Sequence, residues 1–244
     1  MCTVTFIPQG NNQFILTSNR DEKKGRKPAL PPRKFIQLGD GLFYPKDQEA
    51  GGTWIAYAVN GYTLCLLNGA FEKHVSTGPY ARSRGVVLLD FFNYKNVEDY
   101  VANYSFVNIE PFTLVIVESA EELKLHELVW DGNILNHNQK DSSVPHIWSS
   151  VTLYDETWRL ERKNKFMNWL AAQHEVNMDA IIGIHEGLDE RKNGPGLRMP
   201  ERITEVEKAN MLTVSITSIN RSEEGVCLKY KDIVSQEMVR LRIL

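Results

Sequence analysis

The sequence predicts an α+β protein in which antiparallel β-sheets pack together and helices cover the outside. The chain opens with two β-rich runs, "CTVTFIP" and "QFILTSN", joined by the turn-forming residues "QGNN". It closes with three further β-like runs, "MLTVSITSIN", "GVCLKYKDI" and "MVRLRIL". Between them, strands and helices come in blocks instead of alternating, which favours antiparallel sheets over a doubly wound parallel sheet.

The clearest hairpin signal lies around Asn60-Gly61, which separates "TWIAYAV" from "YTLCLLN". This dipeptide predicts a two-residue type I′ turn. Gly51-Gly52, just before the first run, predicts a bulge or a close backbone approach. Residues 23–34 contain three prolines and many basic side chains, so we expect a solvated surface loop that could also attract an anionic group.

Capping residues and apolar patterns predict the helices. Four are expected, at residues 78–94 starting with Pro79, 96–104 capped by Asn96, 155–173 capped by Asp155, and about 177–186. The third has a bulky apolar stripe of Trp158, Leu160, Phe166, Trp169 and Leu170. Strands "FTLVIVE" and "KLHELVW" precede it, and residues 187–201 are expected to form a long loop, either a lid or a plain surface excursion.

Bulk composition excludes several classes of protein. With 244 residues, 42% of them hydrophobic, the chain fits a single globular domain spanning residues 1–244. The net charge of −3 gives no reason to expect nucleic-acid binding. We find no signal peptide and no apolar run long enough to span a membrane, and the oligomeric state is not indicated. The three cysteines show no disulfide or metal spacing, so a cytoplasmic location is expected.

Cys2 is the first candidate catalytic residue. Loss of Met1 would leave a thiol and a free α-amine on the same residue, with ordinary pKa values of about 8.5 and about 7.7–8.0. The amine could then accept the proton of the thiol, which combines nucleophile and general base. The alternative is a small, inert, buried strand residue.

Arg20 and Asp21 follow the second β-run. If the first two runs pair across "QGNN", these side chains return close to Cys2. The aspartate could then orient the α-ammonium, and the arginine could favour the thiolate or hold a substrate carboxylate. The alternative is an ordinary turn at a strand end, in which asparagine and aspartate act as caps.

Asn68 ends the strand run "YTLCLLN". An asparagine amide can stabilise a developing oxyanion, typically by about 2.7–4 kcal/mol. The alternative is a turn residue before Gly69. The combination of Cys2, Arg20-Asp21 and Asn68 is a more specific indication of a catalytic site than any of these residues alone.

The stretches "MCTVTF", "SNRDE", "GGTWIA" and "LLNG" resemble the NRDE family, which includes the transport and Golgi organisation protein two of animals. The stretches "SRGVVLLDF" and "WSSVTLYDETWRLERKNKF" also resemble bacterial members. More distantly, the arrangement resembles choloylglycine hydrolase and penicillin V acylase, which are N-terminal nucleophile hydrolases.

The resemblance implies a four-layer αββα sandwich of two antiparallel sheets, a catalytic Cys2, an oxyanion residue at Asn68 and an acidic residue at Asp21. The acylases carry an arginine three positions before that aspartate, where this chain has Ser18, so the role of Arg20 stays open. Asn19, Glu22 and Trp54, within the quoted motifs, are the candidate substrate-binding residues.

The resemblance therefore predicts an amidohydrolase that acts on a linear, non-peptide amide, with a small-molecule amide or acyl substrate. The alternative is a non-catalytic binding or trafficking protein for haem or acyl lipids on the same fold. The six histidines show no metal-ligand spacing, and we expect no metal and no cofactor. His74 could reach the mouth of the site or lie exposed on a loop.

Overall fold

The computed structural model describes residues 3–36, 41–187, 197 and 210–243. By its internal contacts the chain divides into two compact units. The first comprises Met1–Arg26 and Val144–Leu244, and the second comprises Lys27–Ser143. Each unit contains one antiparallel sheet. The expectation of a single domain stays a prediction.

Strands dominate the described residues. In chain order they are β1 (Thr3–Pro8), β2 (Phe14–Lys23), β3 (Leu30–Phe35), β4 (Leu42–Lys46), β5 (Ile55–Ala58), β6 (Tyr62–Asn68), β7 (Phe112–Glu118), β8 (Lys124–Trp130), β9 (Leu135–Lys140), β10 (His146–Ser149), β11 (Met211–Ser222), β12 (Gly225–Asp232) and β13 (Met238–Ile243). The α-helices are α1 (Arg84–Asp90), α2 (Val97–Asn103), α3 (Glu156–Ala171) and α4 (Met178–Glu186).

The sheet of the first unit has the strand order β10-β1-β2-β11-β12-β13. The predicted hairpin of β1 and β2 is confirmed, with Thr3 opposite Asn19 and Pro8 opposite Phe14. Its tight connection places Asn11 and Asn12 at positive φ, which asparagine tolerates better than most residues. Because β2 lies between β1 and β11, Asn19 has a strand on either side, whereas Arg20 and Asp21 pair with β11.

Helices α3 and α4 cover one face of this sheet. Ile7 and Ile15 on the hairpin pack with Phe166 of α3 and Ile181 of α4 in one apolar cluster. Both predicted helices are confirmed, and Asp155 caps α3 by accepting a hydrogen bond from the backbone N–H of Trp158.

The predicted apolar stripe of α3 is only half right. Phe166 and Trp169 are buried, whereas Trp158 and Leu160 are 37% and 57% exposed. The buried face instead begins at Arg162, four residues before Phe166. An arginine therefore occupies a position on the buried face of the helix, where an apolar residue is expected.

The second unit is a meander of seven strands, ordered β3 to β9, with α1 and α2 packed on a core rich in aromatic side chains. The predicted loop at 23–34 is wrong in part, because β2 extends to Lys23 and Leu30–Phe35 forms β3. Its prolines are tolerated because β3 is an edge strand, where a missing N–H breaks no ladder.

Two further expectations in this unit are corrected. The helix expected at 78–94 begins only at Arg84, after an N-cap at Ser83, and ends in a 3₁₀ turn at Phe91–Asn93. The β5–β6 turn is not type I′, since Gly61 has a φ of +94° but Asn60 is not at positive φ. The turn closes instead through the N–H of Gly61 and the carbonyl of Ala58.

The close approach predicted at Gly51-Gly52 is confirmed. A Cβ on Gly52 would lie 2.3 Å from the carbonyl carbon of Gly85, so the start of α1 packs directly on this backbone. The α+β class with two antiparallel sheets is likewise confirmed. Within the described residues, no helix combines the length and apolar composition needed to cross a bilayer.

Candidate active site

The motif residues Asn19, Arg20 and Asp21 lie inside β2 rather than in a turn after it. All three are at most 2% exposed. All three pair with β11, where Ile216, Ser215 and Thr213 are their partners, and Asn19 also pairs with Thr3 of β1. The strand-end turn that was the alternative interpretation of the motif is therefore wrong.

Adjacent residues of a strand point to opposite faces of the sheet. Asn19 and Asp21 share the face that α3 and α4 cover, as the contact of Asn19 with His185 of α4 shows. Arg20 lies on the other face, together with Ser18. Its guanidinium is 3.9 Å from the carboxylate of Glu22, which is also 3.6 Å from Arg26.

Asp21 is held by two hydroxyl groups from distant parts of the chain. The hydroxyl of Tyr154 donates to Oδ2 at 2.8 Å, and that of Thr213 donates to Oδ1 at 2.5 Å. Each carboxylate oxygen therefore has a donor, which fixes the orientation of a side chain that is only 1% exposed.

A β-bulge in β11 makes this arrangement possible. Thr213 is opposite Asp21 and Ser215 is opposite Arg20, so Val214 is an extra residue between them. In a regular strand Thr213 and Ser215 would share a face, but the bulge turns them to opposite faces. Thr213 can therefore reach Asp21 while Ser215 stays beside Arg20.

Asn19 joins β2 to α4 and to Leu197. Its Oδ1 accepts a hydrogen bond from His185 Nδ1 at 2.6 Å, and its Nδ2 donates to the carbonyl of Leu197 at 3.0 Å. Since Nδ1 is the donor, Nε2 of His185 accepts from the hydroxyl of Thr5 at 2.8 Å. Burial, and then the charge of Arg162, lower the pKa of His185 to about 3, so its ring is neutral at pH 7.

Arg162 of α3 completes the cluster. Its Nη1 donates to the carbonyl of Leu197 at 2.5 Å and to the hydroxyl of Thr3 at 3.3 Å. The guanidinium lies over the ring of Tyr154, 3.9 Å from its centroid.

Sequence reasoning missed Tyr154, Arg162, His185 and Thr213 as members of this cluster. Three of them depend on pairings between segments more than 100 residues apart, which no local pattern encodes. Arg162 alone had a usable signal, because it occupies the apolar phase of α3.

The remaining site predictions fall elsewhere. Cys2 lies outside the described residues. Asn68 and Trp54 belong to the second unit. There Asn68 is the partly buried last residue of β6, opposite Phe112, and Trp54 is 3% exposed just before β5. His74 is not an exposed loop residue, since its Nε2 is 3.1 Å from Glu110, which also pairs with Arg84.

No described residues form a cluster of three or more histidine, cysteine, aspartate or glutamate side chains that could hold a metal ion. The cluster instead combines a buried carboxylate, two hydroxyl donors and a buried guanidinium next to the opening hairpin.

Several solved structures share this fold. An orthologue of N-acylethanolamine-hydrolyzing acid amidase from Caenorhabditis elegans superposes with a TM-score of 0.58 at 13% identity, covering 89% of this chain and 92% of that one. The C2A mutant of conjugated bile acid hydrolase from Clostridium perfringens gives 0.56 at 11% identity, covering 100% and 92%. Penicillin V acylase from Agrobacterium tumefaciens gives 0.50 at 11%, covering 100% and 86%.

These similarities confirm the predicted N-terminal nucleophile hydrolase-like fold. No curated protein sequence gives a significant match to the chain. The family model described as Transport and Golgi organisation 2, in contrast, matches residues 1–222. Since the match spans most of the 244 residues, the chain belongs to the Transport and Golgi organisation 2 family.

Proposed function

We propose that this protein hydrolyses a linear, non-peptide amide, with Cys2 as the N-terminal nucleophile once Met1 has been removed. The observation that carries the proposal is the buried, doubly hydrogen-bonded Asp21 at the end of the hairpin where the chain begins. The shared fold supports it, because the similar structures are those of an amidase, a bile acid hydrolase and an acylase.

The register of the hairpin supports a pairing of Cys2 with this carboxylate. Thr3 is opposite Asn19, and the two strands run antiparallel. The described register ends at this pair, two residues before Asp21 on β2. We therefore assign to Asp21 the task of orienting the α-amine of Cys2, the residue that precedes Thr3.

Arg20 has a role on the other face of the sheet. Ser18 stands where the acylases carry an arginine, and Arg20 lies on the same face as Ser18 two residues further along. We therefore assign to Arg20 the positive charge that favours the thiolate or holds an anionic group of the substrate.

The proposed reaction has two halves. The sulfur of Cys2 attacks the carbonyl carbon of the amide while its proton passes to the α-amine, and Asn68 donates a hydrogen bond to the oxyanion. The ammonium then protonates the leaving nitrogen, the C–N bond breaks, and a thioester remains. Water, deprotonated by the amine, releases the acid and restores the thiol. Asp21 orients the amine throughout.

Two residues are assigned to substrate binding. Glu22 and Trp54 keep that role in the proposal. Both amide atoms of Asn19 are already engaged by His185 and Leu197, so its contribution is to fix this part of the sheet.

The test combines mass spectrometry with a panel of N-acyl amides. We expect a chain that lacks Met1, rapid alkylation of Cys2, and hydrolysis of at least one panel member. Cys2→Ala should abolish hydrolysis. Cys227→Ala is the matched control, because Cys227 is a partly buried cysteine on β12, and it should keep full activity.

A retained Met1 together with an unreactive Cys2 would contradict the proposal. Binding of haem or an acyl lipid without turnover by the same preparation would then favour the non-catalytic alternative.

A further inference from the structure

A cavity of about 330 Å³ lies in the second unit, beside the two ends of α1 and the end of α2. Its walls include Arg82, Asp90, Tyr94 and Tyr104, all of which belong to this unit. The volume is at the lower end of the range typical of small-molecule sites. None of the lining residues is assigned to the candidate active site, so this cavity is available for a different ligand.

Asp90, the last residue of α1, organises the charged side of the cavity. Its Oδ2 accepts a hydrogen bond from Arg82 Nη1 at 2.8 Å and another from the hydroxyl of Tyr104 at 2.9 Å. Burial, and then the hydrogen bond to Asp90, raise the pKa of Tyr104, so this hydroxyl stays a donor at neutral pH. The cavity therefore presents a carboxylate and a guanidinium side by side.

The ion pair contributes little to stability, because the side chain of Arg82 is 55% exposed and water screens its charge. An arginine side chain has five N–H donors. Among the described residues, the Arg82 guanidinium donates only through Nη1, to Asp90. Its other N–H groups can therefore bind an anionic group of a ligand without breaking the ion pair.

Two tyrosine rings form the aromatic side of the cavity. The ring centroids of Tyr94 and Tyr104 are 6.0 Å apart, and the ring planes meet at 75°. Such a pair makes an aromatic corner next to the carboxylate to which Tyr104 donates. Aromatic faces attract cations, and quaternary ammonium groups are commonly recognised in this way. A carboxylate beside the rings adds the opposite charge.

We propose that this cavity binds a zwitterion made of a quaternary ammonium group and a phosphate, which is the chemistry of phosphocholine. The ammonium lies against Tyr94 and Tyr104, close to Asp90, and the phosphate accepts hydrogen bonds from Arg82. Each charge of the ligand then faces the opposite charge of the ion pair. Both free phosphocholine and the headgroup of phosphatidylcholine carry these two groups. The inference is independent of the proposed amide hydrolysis.

The first experiment compares soluble ligands by isothermal titration calorimetry with the full wild-type chain. The ligands are phosphocholine, choline, phosphoethanolamine and inorganic phosphate. We expect a dissociation constant of about 1 mM or lower for phosphocholine, as is ordinary for a ligand of this size. The other three should bind at least about tenfold more weakly, because each lacks the phosphate, the methyl groups or the ammonium.

The second experiment locates the site with variants. Tyr94→Leu should weaken phosphocholine binding about 5- to 30-fold, whereas Tyr94→Phe keeps the aromatic face and should bind as wild type does. Arg82→Gln should weaken phosphocholine about tenfold and leave choline binding no weaker. Lys95→Gln is the matched control, because it removes an exposed positive charge next to Tyr94 from a residue outside the lining, and it should change nothing.

Vesicles distinguish the two sources of the ligand. Cosedimentation with phosphatidylcholine vesicles, but not with phosphatidylglycerol vesicles, assigns the site to a lipid headgroup when Tyr94→Leu abolishes it. Binding of soluble phosphocholine without cosedimentation assigns the site to the free molecule.

Absence of binding to both phosphocholine and phosphatidylcholine vesicles overturns the inference. Phosphoethanolamine that binds as tightly as phosphocholine overturns it too, since the aromatic corner would then have no part in recognition. Wild-type affinity in Tyr94→Leu, with a circular dichroism spectrum that shows the native fold, places the ligand elsewhere and overturns it equally. If Tyr94→Leu does not fold, Arg82→Gln decides the location, because that side chain is mostly exposed.

Discussion

Tyr154 donates a hydrogen bond that orients Asp21, and it does so through the only polar atom of its side chain. The ring has a separate task, since Arg162 stacks on it. Replacement by phenylalanine separates these two tasks, because it deletes the hydroxyl and keeps the ring.

We expect Tyr154→Phe to lower kcat/KM for amide hydrolysis about 10- to 100-fold, since a hydrogen bond to a charged group contributes about 1.5–3 kcal/mol. Stability should fall by about 1–3 kcal/mol, because a buried carboxylate loses a hydrogen-bond donor. Steady-state kinetics and urea unfolding measure the two effects.

Tyr100→Phe is the control for Tyr154→Phe. Tyr100 is a fully buried tyrosine in the second unit whose hydroxyl donates to the carbonyl of Val87 at 3.1 Å. It should lose stability by about 0.5–1.5 kcal/mol with no change in kcat/KM. Equal kinetics for the two variants would show that the Tyr154 hydroxyl has no part in orienting Asp21.

At the scale of elements, the strands and caps were the most predictable features. The opening hairpin follows from β-branched runs on either side of "QGNN", and the caps Asn96 and Asp155 follow from local hydrogen bonding to the next turn. β3 could not be predicted, because its prolines are acceptable only at a sheet edge, and edge position is a tertiary property.

The glycine pair at the start of β5 makes a prediction about packing between elements. A methyl group on Gly52 would lie 2.3 Å from one backbone atom of Gly85 and 2.6 Å from two others nearby. No side-chain rotation relieves a contact with backbone, so α1 would have to move away from the strand. We expect Gly52→Ala to destabilise the protein by about 1–3 kcal/mol or more, measured by urea unfolding.

Gly183 in α4 gives the opposite prediction. A Cβ there would meet nothing within 4 Å, and the residue lies within the helix. Gly183→Ala should therefore stabilise the protein by about 0.5–1 kcal/mol, because alanine loses less backbone entropy on folding. A loss of stability in this variant, measured in the same urea experiment, would mean that α4 needs the freedom of glycine.

For the whole molecule, separation along the chain decides which members of the site could be predicted from the sequence. Arg20 and Asp21 could be predicted because a single hairpin brings them to the beginning of the chain. Thr213 could not, because its contact depends on a bulge and on a pairing across 192 residues. The family resemblance predicted the fold. Composition and periodicity alone predicted only the α+β class.

The stability of the whole chain should depend on pH through His185. Its pKa is lowered to about 3 in the folded protein from an ordinary 6.5, mainly by burial and secondarily by Arg162. Below about pH 6.5 the imidazole of His185 is protonated in the unfolded chain but stays neutral in the folded chain. The contribution of His185 to the free energy of unfolding is therefore complete above pH 6.5. It is lost as the pH falls towards 3, at up to about 1.4 kcal/mol per pH unit.

Urea unfolding between pH 4.5 and 8 tests this expectation against His185→Gln, whose amide has no proton to gain in this range. The variant should be less stable at pH 8, since it cannot reproduce both contacts of the imidazole with Asn19 and Thr5. Between pH 6.5 and 4.5, however, its free energy of unfolding should fall less steeply than that of wild type. Acidic groups and His126, whose pKa burial also lowers, contribute equally to both proteins and cancel in the comparison. Parallel slopes would mean that His185 accepts its proton within the folded sheet, and that its contacts with Asn19 and Thr5 rearrange without unfolding the chain.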